Sequence, residues 1–140
     1  MLRKLKIYFQ LFPGKHGTDA ERGVSGVDYT LKVDGRTVDQ GKTAADGSVE
    51  VLVPAGQPAE LVLLGTSYDL KIDNYLDAVG TVAGQQRRLS MLGYDVGTID
   101  GQWGENSDRA TLDFQGDEAL DPDGAAGANT QNKLRSVFGE

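Results

Sequence analysis

The sequence reads DGQWGENS at Asp100–Ser107 and DGAAGANT at Asp123–Thr130, two copies of the pattern D-G-x-x-G-x-N-[S/T] that begin 23 residues apart. Glycine adopts positive φ angles without steric cost, so each D-G-x-x-G predicts a tight turn. Asn, Ser and Thr are favoured at helix N-caps, so the end of each copy predicts a helix start capped by one of these side chains. The repeat therefore predicts two equivalent loop-to-helix joints.

Helical periodicity surrounds the two copies. Val82, Leu89 and Leu92 fall on one face of a helix that begins near Val82, and Gly93 is placed to end it. A second helix is predicted from Asn106 or Ser107 and weakens near Gly116, and a third runs from Asn129 or Thr130 to Phe138. Their inward residues are predicted to be Ala110 and Phe114 in the second helix, and Leu134, Val137 and Phe138 in the third.

The first half of the chain shows strand patterns instead. Asp34-Gly35 and Asp46-Gly47 are tight-turn signals, and Pro54 ends a run of alternating valines because it has no N–H for a ladder. Residues 13–25 lack periodicity and are predicted to form an exposed loop. The predicted strand segments are residues 4–12, 29–33, 49–53, 61–64 and a last one that contains Leu70 and Ile72.

These patterns predict an α+β chain, a small antiparallel β-sandwich followed by a compact three-helix unit. The predicted division is a sandwich domain over residues 1–76, a linker over 77–81 and a three-helix domain over 82–140. A length of 140 residues suits two small domains of this kind.

Composition excludes several classes of site. The chain has no cysteine, which rules out disulfides, zinc ribbons and thiol catalysis, and its one histidine, His16, cannot build a His-rich metal site. The formal net charge is −7, and the back half holds five basic and ten acidic residues. Nucleic acid and anionic membranes are therefore not expected as partners, because both are bound through an excess of Lys and Arg.

The first residues resemble the start of a signal peptide. Lys6 and Gln10 interrupt the apolar core that such a peptide needs, and no small-residue cleavage site follows. We interpret this stretch as a strand and expect synthesis in the cytoplasm without a signal peptide.

The back half resembles the peptidoglycan-binding domain family, a three-helix module often attached to cell-wall hydrolases. The resemblance covers about residues 82–138. Four positions depart from the family pattern. They are Ser107 for the usual Thr, Gly116 for a polar helix former, Ala119 where Gly often occurs, and Ala125 for a β-branched residue. The residues that carry the resemblance are Gln86, Leu89, Leu92, Gly93, Tyr94, Gly97, Asp100, Gly101, Trp103, Gly104, Ser107, Ala110, Phe114, Gln115, Leu120, Asp123, Gly124, Gly127, Thr130 and Leu134.

The front half resembles the immunoglobulin-like or transthyretin-like sandwiches that accompany such modules. The residues concerned are Tyr29–Gly35 and the stretch from Gly41 to Pro54. The whole arrangement is similar to small proteins of contractile injection machines, such as type VI secretion systems and phage-tail-like particles.

The resemblance implies a site for a peptidoglycan stem peptide or glycan. Trp103 and Tyr94 are candidates to stack on sugar rings, although both could instead cover the core between helices. Asp100 and Gln115 are candidates to bond amides, although side chains beside tight turns often bond their own backbone. Arg88 is a candidate partner for a carboxylate, with surface solubility as the alternative role.

No catalytic arrangement is visible in the sequence. His16 has no nucleophile or acid near it in a motif, and acidic pairs such as Glu105 with Asp108 are explained as surface charge at a helix end. We expect no enzyme activity, no cofactor and no metal.

Three functions are compatible with these observations. The first is a non-catalytic peptidoglycan-binding protein that reaches the cell wall or periplasm inside a particle, with the sandwich as attachment to a protein partner. The second is a structural or adaptor subunit whose three-helix module binds protein. The third is a cell-wall hydrolase whose catalytic domain lies on another chain.

Overall fold

The computed structural model of the chain describes residues 2–11, 23–73 and 75–140. They form two compact units, one that extends to Tyr75 and a second made of Leu76–Phe138 and Glu140. Within these residues the strands precede residue 71 and the helices follow residue 81, so the α+β class is confirmed.

The first unit consists of two antiparallel sheets. One contains β1 and β4, and the other has the strand order β3-β2-β5-β6. The strands are β1 (Leu2–Tyr8), β2 (Asp28–Val33), β3 (Arg36–Lys42), β4 (Ser48–Pro54), β5 (Ala59–Leu63) and β6 (Thr66–Leu70).

Alternating residues of the two sheets build the core of the first unit. Period-two alternation turns every second side chain of a strand to the same face, and these faces are the apolar ones. The shared core makes the unit a sandwich of a two-stranded and a four-stranded sheet. Its buried residues are Val49, Val51 and Val53 from the first sheet, and Leu31, Val33, Ala59, Leu61 and Leu63 from the second.

The predicted turn at Asp34-Gly35 and the predicted strand end at Pro54 are confirmed. Asp34 and Gly35 have φ angles of 50° and 74° and join β2 to β3, and Pro54 is the last residue of β4. Several strand bounds differ from the prediction. β1 ends at Tyr8 and not at residue 12, and β3 was not among the predicted segments. Leu64 belongs to a turn with φ 49°, and Ile72 lies beyond β6 although it packs against the core.

The predicted exposed loop over residues 13–25 is only partly within the described residues, since 13–22 lie outside them. At Gly23 the prediction of exposure is wrong. Gly23 is buried and forms an isolated antiparallel bridge with Gln10. A Cβ at this position would meet the carbonyl oxygen of Asp46 at 2.0 Å, so the residue must be glycine.

The second unit contains three helices, α1 (Val82–Met91), α2 (Glu105–Asp117) and α3 (Ala128–Phe138). Four of the five residues predicted to face inward along α2 and α3 are buried, and Phe138 is partly exposed. The largest of the buried apolar side chains at the centre are Leu89, Phe114 and Leu134.

The first helix begins at Val82 and ends before Gly93, as its sequence predicts, and it is capped by Thr81, which was not predicted. Thr81 Oγ1 accepts a hydrogen bond from the Gly84 N–H at 3.1 Å. At the other end Gly93, with φ 93°, donates to Ser90 O, and the Tyr94 N–H donates to Leu89 O. This pair of bonds is the Schellman motif, which confirms the predicted glycine cap.

The segment 77–81, predicted as a linker, contacts α1. Val79 is buried, and its carbonyl oxygen accepts from Gln85 Nε2 at 2.9 Å. Gly84 lies so close to this segment that a Cβ on it would approach the Ala78 carbonyl oxygen to 1.9 Å.

None of the helices in the described part of the chain is long and apolar enough to cross a lipid bilayer.

Candidate functional site

The first loop, Asp100–Gly104, is held by the amide of Gln86 in α1. Gln86 Oε1 accepts from the Gly101 N–H at 3.0 Å. Its Nε2 donates to the Gln102 carbonyl oxygen at 2.9 Å and to Ser107 Oγ at 3.1 Å. Because Gln86 is only 1% exposed, these bonds form away from water and fix the loop against the helix.

The second loop, Asp123–Gly127, is held in the same way by Gln115 in α2. Gln115 Oε1 accepts from the Gly124 N–H at 3.0 Å. Its Nε2 donates to the Ala125 carbonyl oxygen and to Thr130 Oγ1, both at 3.0 Å. The repeat seen in the sequence is thus a repeat of one hydrogen-bonded arrangement, in which a buried glutamine clamps the next loop.

The first glycine of each copy has the predicted positive φ, whereas the second glycine, Gly104 or Gly127, does not, and the predicted caps are wrong. Gly101 and Gly124 have φ angles of 74° and 76°. Both helices begin before the Asn of the repeat, and the residue before α2, Gly104, makes no side-chain capping bond. The hydroxyls of Ser107 and Thr130 instead accept from the glutamines, a contact between distant residues that no local pattern reveals.

The two loops differ in the side chains that the clamp does not use. At equivalent positions the first copy has Gln102, Trp103 and Glu105, and the second has Ala125, Ala126 and Ala128. The alanines of the second copy show that this loop geometry does not require larger side chains there. The larger side chains of the first copy are therefore available for another purpose.

Trp103 is half-buried at the end of the first loop. Its indole Nε1 donates to Asp108 Oδ1 in the first turns of α2, which fixes the ring beside an exposed acidic residue. Asp108 therefore belongs to the candidate site, although the sequence analysis explained this residue only as surface charge. Its position five residues after Trp103 was the available signal.

Asp100 is exposed, and its carboxylate organises the loop. Oδ1 accepts from the Gln102 N–H at 2.9 Å and lies 3.4 Å from Gln86 Nε2. The backbone bond from Gln102 is the main cause that lowers the pKa of Asp100, with a further contribution from Gln86. Asp123 has the same bonds in the second loop, and its pKa is lowered by the Ala125 N–H and then by Gln115.

Tyr94 is buried between the helices. Its ring packs edge-on against Phe114, with centroids 5.7 Å apart, and its hydroxyl donates to Asp117 Oδ2 at 2.8 Å. Only 6% of the residue is exposed, which corresponds to the core alternative that the sequence analysis left open.

Arg88 is also buried, at 4% exposure. Its guanidinium donates to the carbonyl oxygens of Asp77, Gly84 and Glu140 at 2.8–2.9 Å and lies over the ring of Phe138. Burial lowers the pKa of Arg88, whereas the negative charges of Glu140 and Asp77 oppose this shift and main-chain oxygens accept the guanidinium hydrogens. The side chain connects α1 to the segments that precede and follow the helices.

Of the five predicted site residues, Asp100 and Trp103 belong to one loop and have exposed surface. Tyr94, Gln115 and Arg88 are buried and take part in contacts within the unit. Whether any of the five contacts a ligand stays a prediction. Gln86, which was not predicted as a site residue, connects the loop of Asp100 and Trp103 to α1.

Within residues 2–11, 23–73 and 75–140, acidic and histidine side chains form no group of three that could hold a metal ion. His16 lies outside these ranges.

Residues 81–134 match the family model for the peptidoglycan binding domain. The match begins at the Thr81 cap of α1 and ends at the buried Leu134 of α3, so it contains both loops and both glutamines. No solved structure matches the chain.

Proposed function

We propose that the second unit binds peptidoglycan, and that the first loop is the contact surface. The observation that carries the proposal is the match of residues 81–134 to the peptidoglycan binding domain. The difference between the two loops supports the choice of surface, because only the first has an aromatic side chain at its end.

The chemistry of the first loop suits a sugar ring or a stem-peptide amide. The exposed part of the Trp103 ring offers an apolar face of the kind on which sugars stack. Asp100 and Asp108 are exposed carboxylates on either side of Trp103 in sequence, and both accept hydrogen bonds. Glycan hydroxyls and peptide N–H groups are suitable donors to them.

Three parts of the proposal rest on the sequence. The binding is non-catalytic. The chain reaches the cell wall or periplasm inside a contractile injection or phage-tail-like particle, as its resemblance to small proteins of such machines suggests. The sandwich is the attachment to a protein of that particle.

An adaptor that binds protein through the three-helix unit is the second candidate. The observation that favours it is the burial of Tyr94, Gln115 and Arg88, which leaves the unit fewer free polar groups for a small ligand.

Co-sedimentation of the full chain with purified peptidoglycan sacculi tests the proposal. Trp103→Ala is expected to abolish sedimentation without unfolding the unit, because the second loop already has Ala126 at the equivalent position. Asp100→Ala is expected to weaken it.

The matched control is Asp123→Ala, which removes the same hydrogen bonds from the second loop. Retained binding in this variant with loss in Asp100→Ala assigns the effect to a ligand contact. Wild-type protein that stays in the supernatant, while a known wall-binding protein sediments, would reject wall binding and favour the adaptor.

A further inference from the structure

We propose that two copies of the chain associate through β6, so that the four-stranded sheets of two sandwiches join into one eight-stranded sheet. β6 is an edge strand, and four of its five residues are exposed. An edge strand presents unpaired N–H and C=O groups that accept another strand. Within the described part of the chain, no backbone hydrogen bond reaches this edge from outside the sheet.

The two edges of this sheet differ in how well they are protected. β3 has an irregular register opposite Leu31 and Lys32, and it carries Arg36 and Lys42. Bulges and basic side chains of this kind discourage edge pairing. β6 has no bulge, no proline and no basic residue, and its five pairs with β5 are in regular register.

The hairpin geometry shows which backbone groups of β6 face outward. Leu64 and Gly65 both have positive φ, so Leu63 and Thr66 close a two-residue turn as a hydrogen-bonded pair. Hydrogen-bonded and non-hydrogen-bonded pairs alternate along an antiparallel ladder. The N–H and C=O groups of Ser67 and Asp69 therefore point away from β5, toward the open edge.

A second β6 fits this edge in one register. If Tyr68 lies opposite Tyr68 of the other copy, Ser67 faces Asp69 at both ends, and all four outward groups on each strand find partners. A shift of two residues in one direction would place Asp69 opposite Asp69, which like-charge repulsion disfavours. A shift in the other direction would place Ser67 opposite Ser67 and Asp69 opposite Gly65, beyond the end of β6, so the register centred on Tyr68 is the one that pairs both outward residues of each strand.

The side chains agree with this register. Tyr68 faces Leu61 on the core side of the sheet but is 46% exposed, so an aromatic ring at the edge of the core lacks a cover. Tyr68 would form a non-hydrogen-bonded pair with its copy, the kind in which side chains are closest. On the outer face, Asp69 lies opposite Glu60 of β5, and the Ser67 hydroxyl donates to Glu60 Oε2, so Ser67 brings no charge against Asp69 of the second copy.

Sedimentation velocity over a range of concentrations, up to about 1 mM, tests the association in the full chain. Wild-type protein is expected to form dimers as concentration rises. Ser67→Asp is expected to weaken the dimer about tenfold, because it places two like-charge pairs at the interface. Adding Asp69→Lys to this variant is expected to restore the dimer, since each pair becomes oppositely charged.

A thiol at the centre of the interface tests the register. The chain has no cysteine, so Tyr68→Cys introduces one thiol that would lie opposite its own copy. The Cα atoms of such a pair are about 4.5 Å apart, which a disulfide can span. Oxidation is expected to give a covalent dimer faster than in the control Val38→Cys, on the exposed opposite edge.

Wild-type protein that stays monomeric at every concentration would overturn the proposal. So would a dimer that Ser67→Asp leaves intact, provided that circular dichroism shows both proteins folded. Cross-linking at position 68 that is no faster than at position 38 would reject the register.

Discussion

Gln86 and Gln115 are the residues on which the two loops of the second unit depend. Each side chain is 1% exposed and uses both its oxygen and its nitrogen in hydrogen bonds to one loop. A buried amide with complete bonding fixes one geometry, whereas a lost partner leaves several groups unpaired.

We expect Gln115→Met to lower the free energy of unfolding by about 2–3 kcal/mol, because the Gly124 N–H and the groups around Thr130 lose their buried partner. Urea denaturation followed by circular dichroism measures the change. The control is Gln102→Met, at an exposed position, for which we expect a change within about 0.5 kcal/mol. Equal changes in the free energy of unfolding in the two variants would contradict the conclusion that Gln115 holds the second loop in place.

Ala119 is a strained residue at the end of α2. It has φ 54°, and the bonds Ala119 N–H to Gly116 O and Leu120 N–H to Gln115 O repeat the Schellman motif that Gly93 forms after α1. The left-handed conformation costs a residue with a Cβ about 1–2 kcal/mol.

Ala119→Gly is therefore expected to raise the free energy of unfolding by about 1 kcal/mol. The reciprocal change, Gly93→Ala, is expected to lower it by a similar amount. Both are measured by urea denaturation. Destabilisation by Ala119→Gly would show that the strain is absent in solution.

At the scale of elements, the two loops make the second unit sensitive to acid. Hydrogen bonds from Gln102 and Ala125 stabilise the ionised carboxylates of Asp100 and Asp123 and lower their pKa values. A pKa that is lower in the folded state adds stability above the ordinary pKa of the group. That stability disappears as the pH falls through the lowered value.

We expect the midpoint of urea unfolding to decrease as the pH is lowered below about 4. In the double variant Asp100→Asn with Asp123→Asn, this decrease is expected to be smaller, because the amide oxygens keep the backbone bonds without titrating. An unchanged decrease in the double variant would assign the acid sensitivity to other carboxylates.

Helices and strands were predictable where a local pattern determines them. Apolar spacing located α1, and the Asp34-Gly35 signal located the β2–β3 turn. Helix starts were misplaced because Ser107 and Thr130 looked like local caps. Their partners, Gln86 and Gln115, are 21 and 15 residues away and on another helix, so sequence spacing gave no indication of them.

The candidate site was predictable only where the local sequence determines whether a side chain is exposed. Asp100 and Trp103 lie in a loop whose exposure follows from its glycines. The burial of Arg88 depends on the carbonyl oxygens of Asp77 and Glu140, which only the folded unit brings together. A charged side chain on a helix is ordinarily exposed, so nothing local identified this one as an internal connection.

At the scale of the whole molecule, the chain combines a sandwich with a three-helix unit, and the family match covers only the second. The proposed binding surface occupies one loop of that unit. The remaining polar contacts in the unit, those of Gln86, Gln115 and Arg88, stabilise it. Substitution of Trp103 should therefore affect wall binding and not stability, substitution of Gln115 should affect stability first, and Asp100 contributes to both.

The most direct test uses the indole N–H of Trp103, because it is the only tryptophan of the chain. Its signal in a ¹⁵N-correlated NMR spectrum can be followed while soluble peptidoglycan fragments are added to the full chain. We predict a saturable shift of this signal, accompanied by shifts of the Gly101 and Gln102 amides and not of the Gly124 amide. An indole signal that stays unchanged at saturating fragment concentration would contradict the assignment of the first loop as the binding surface.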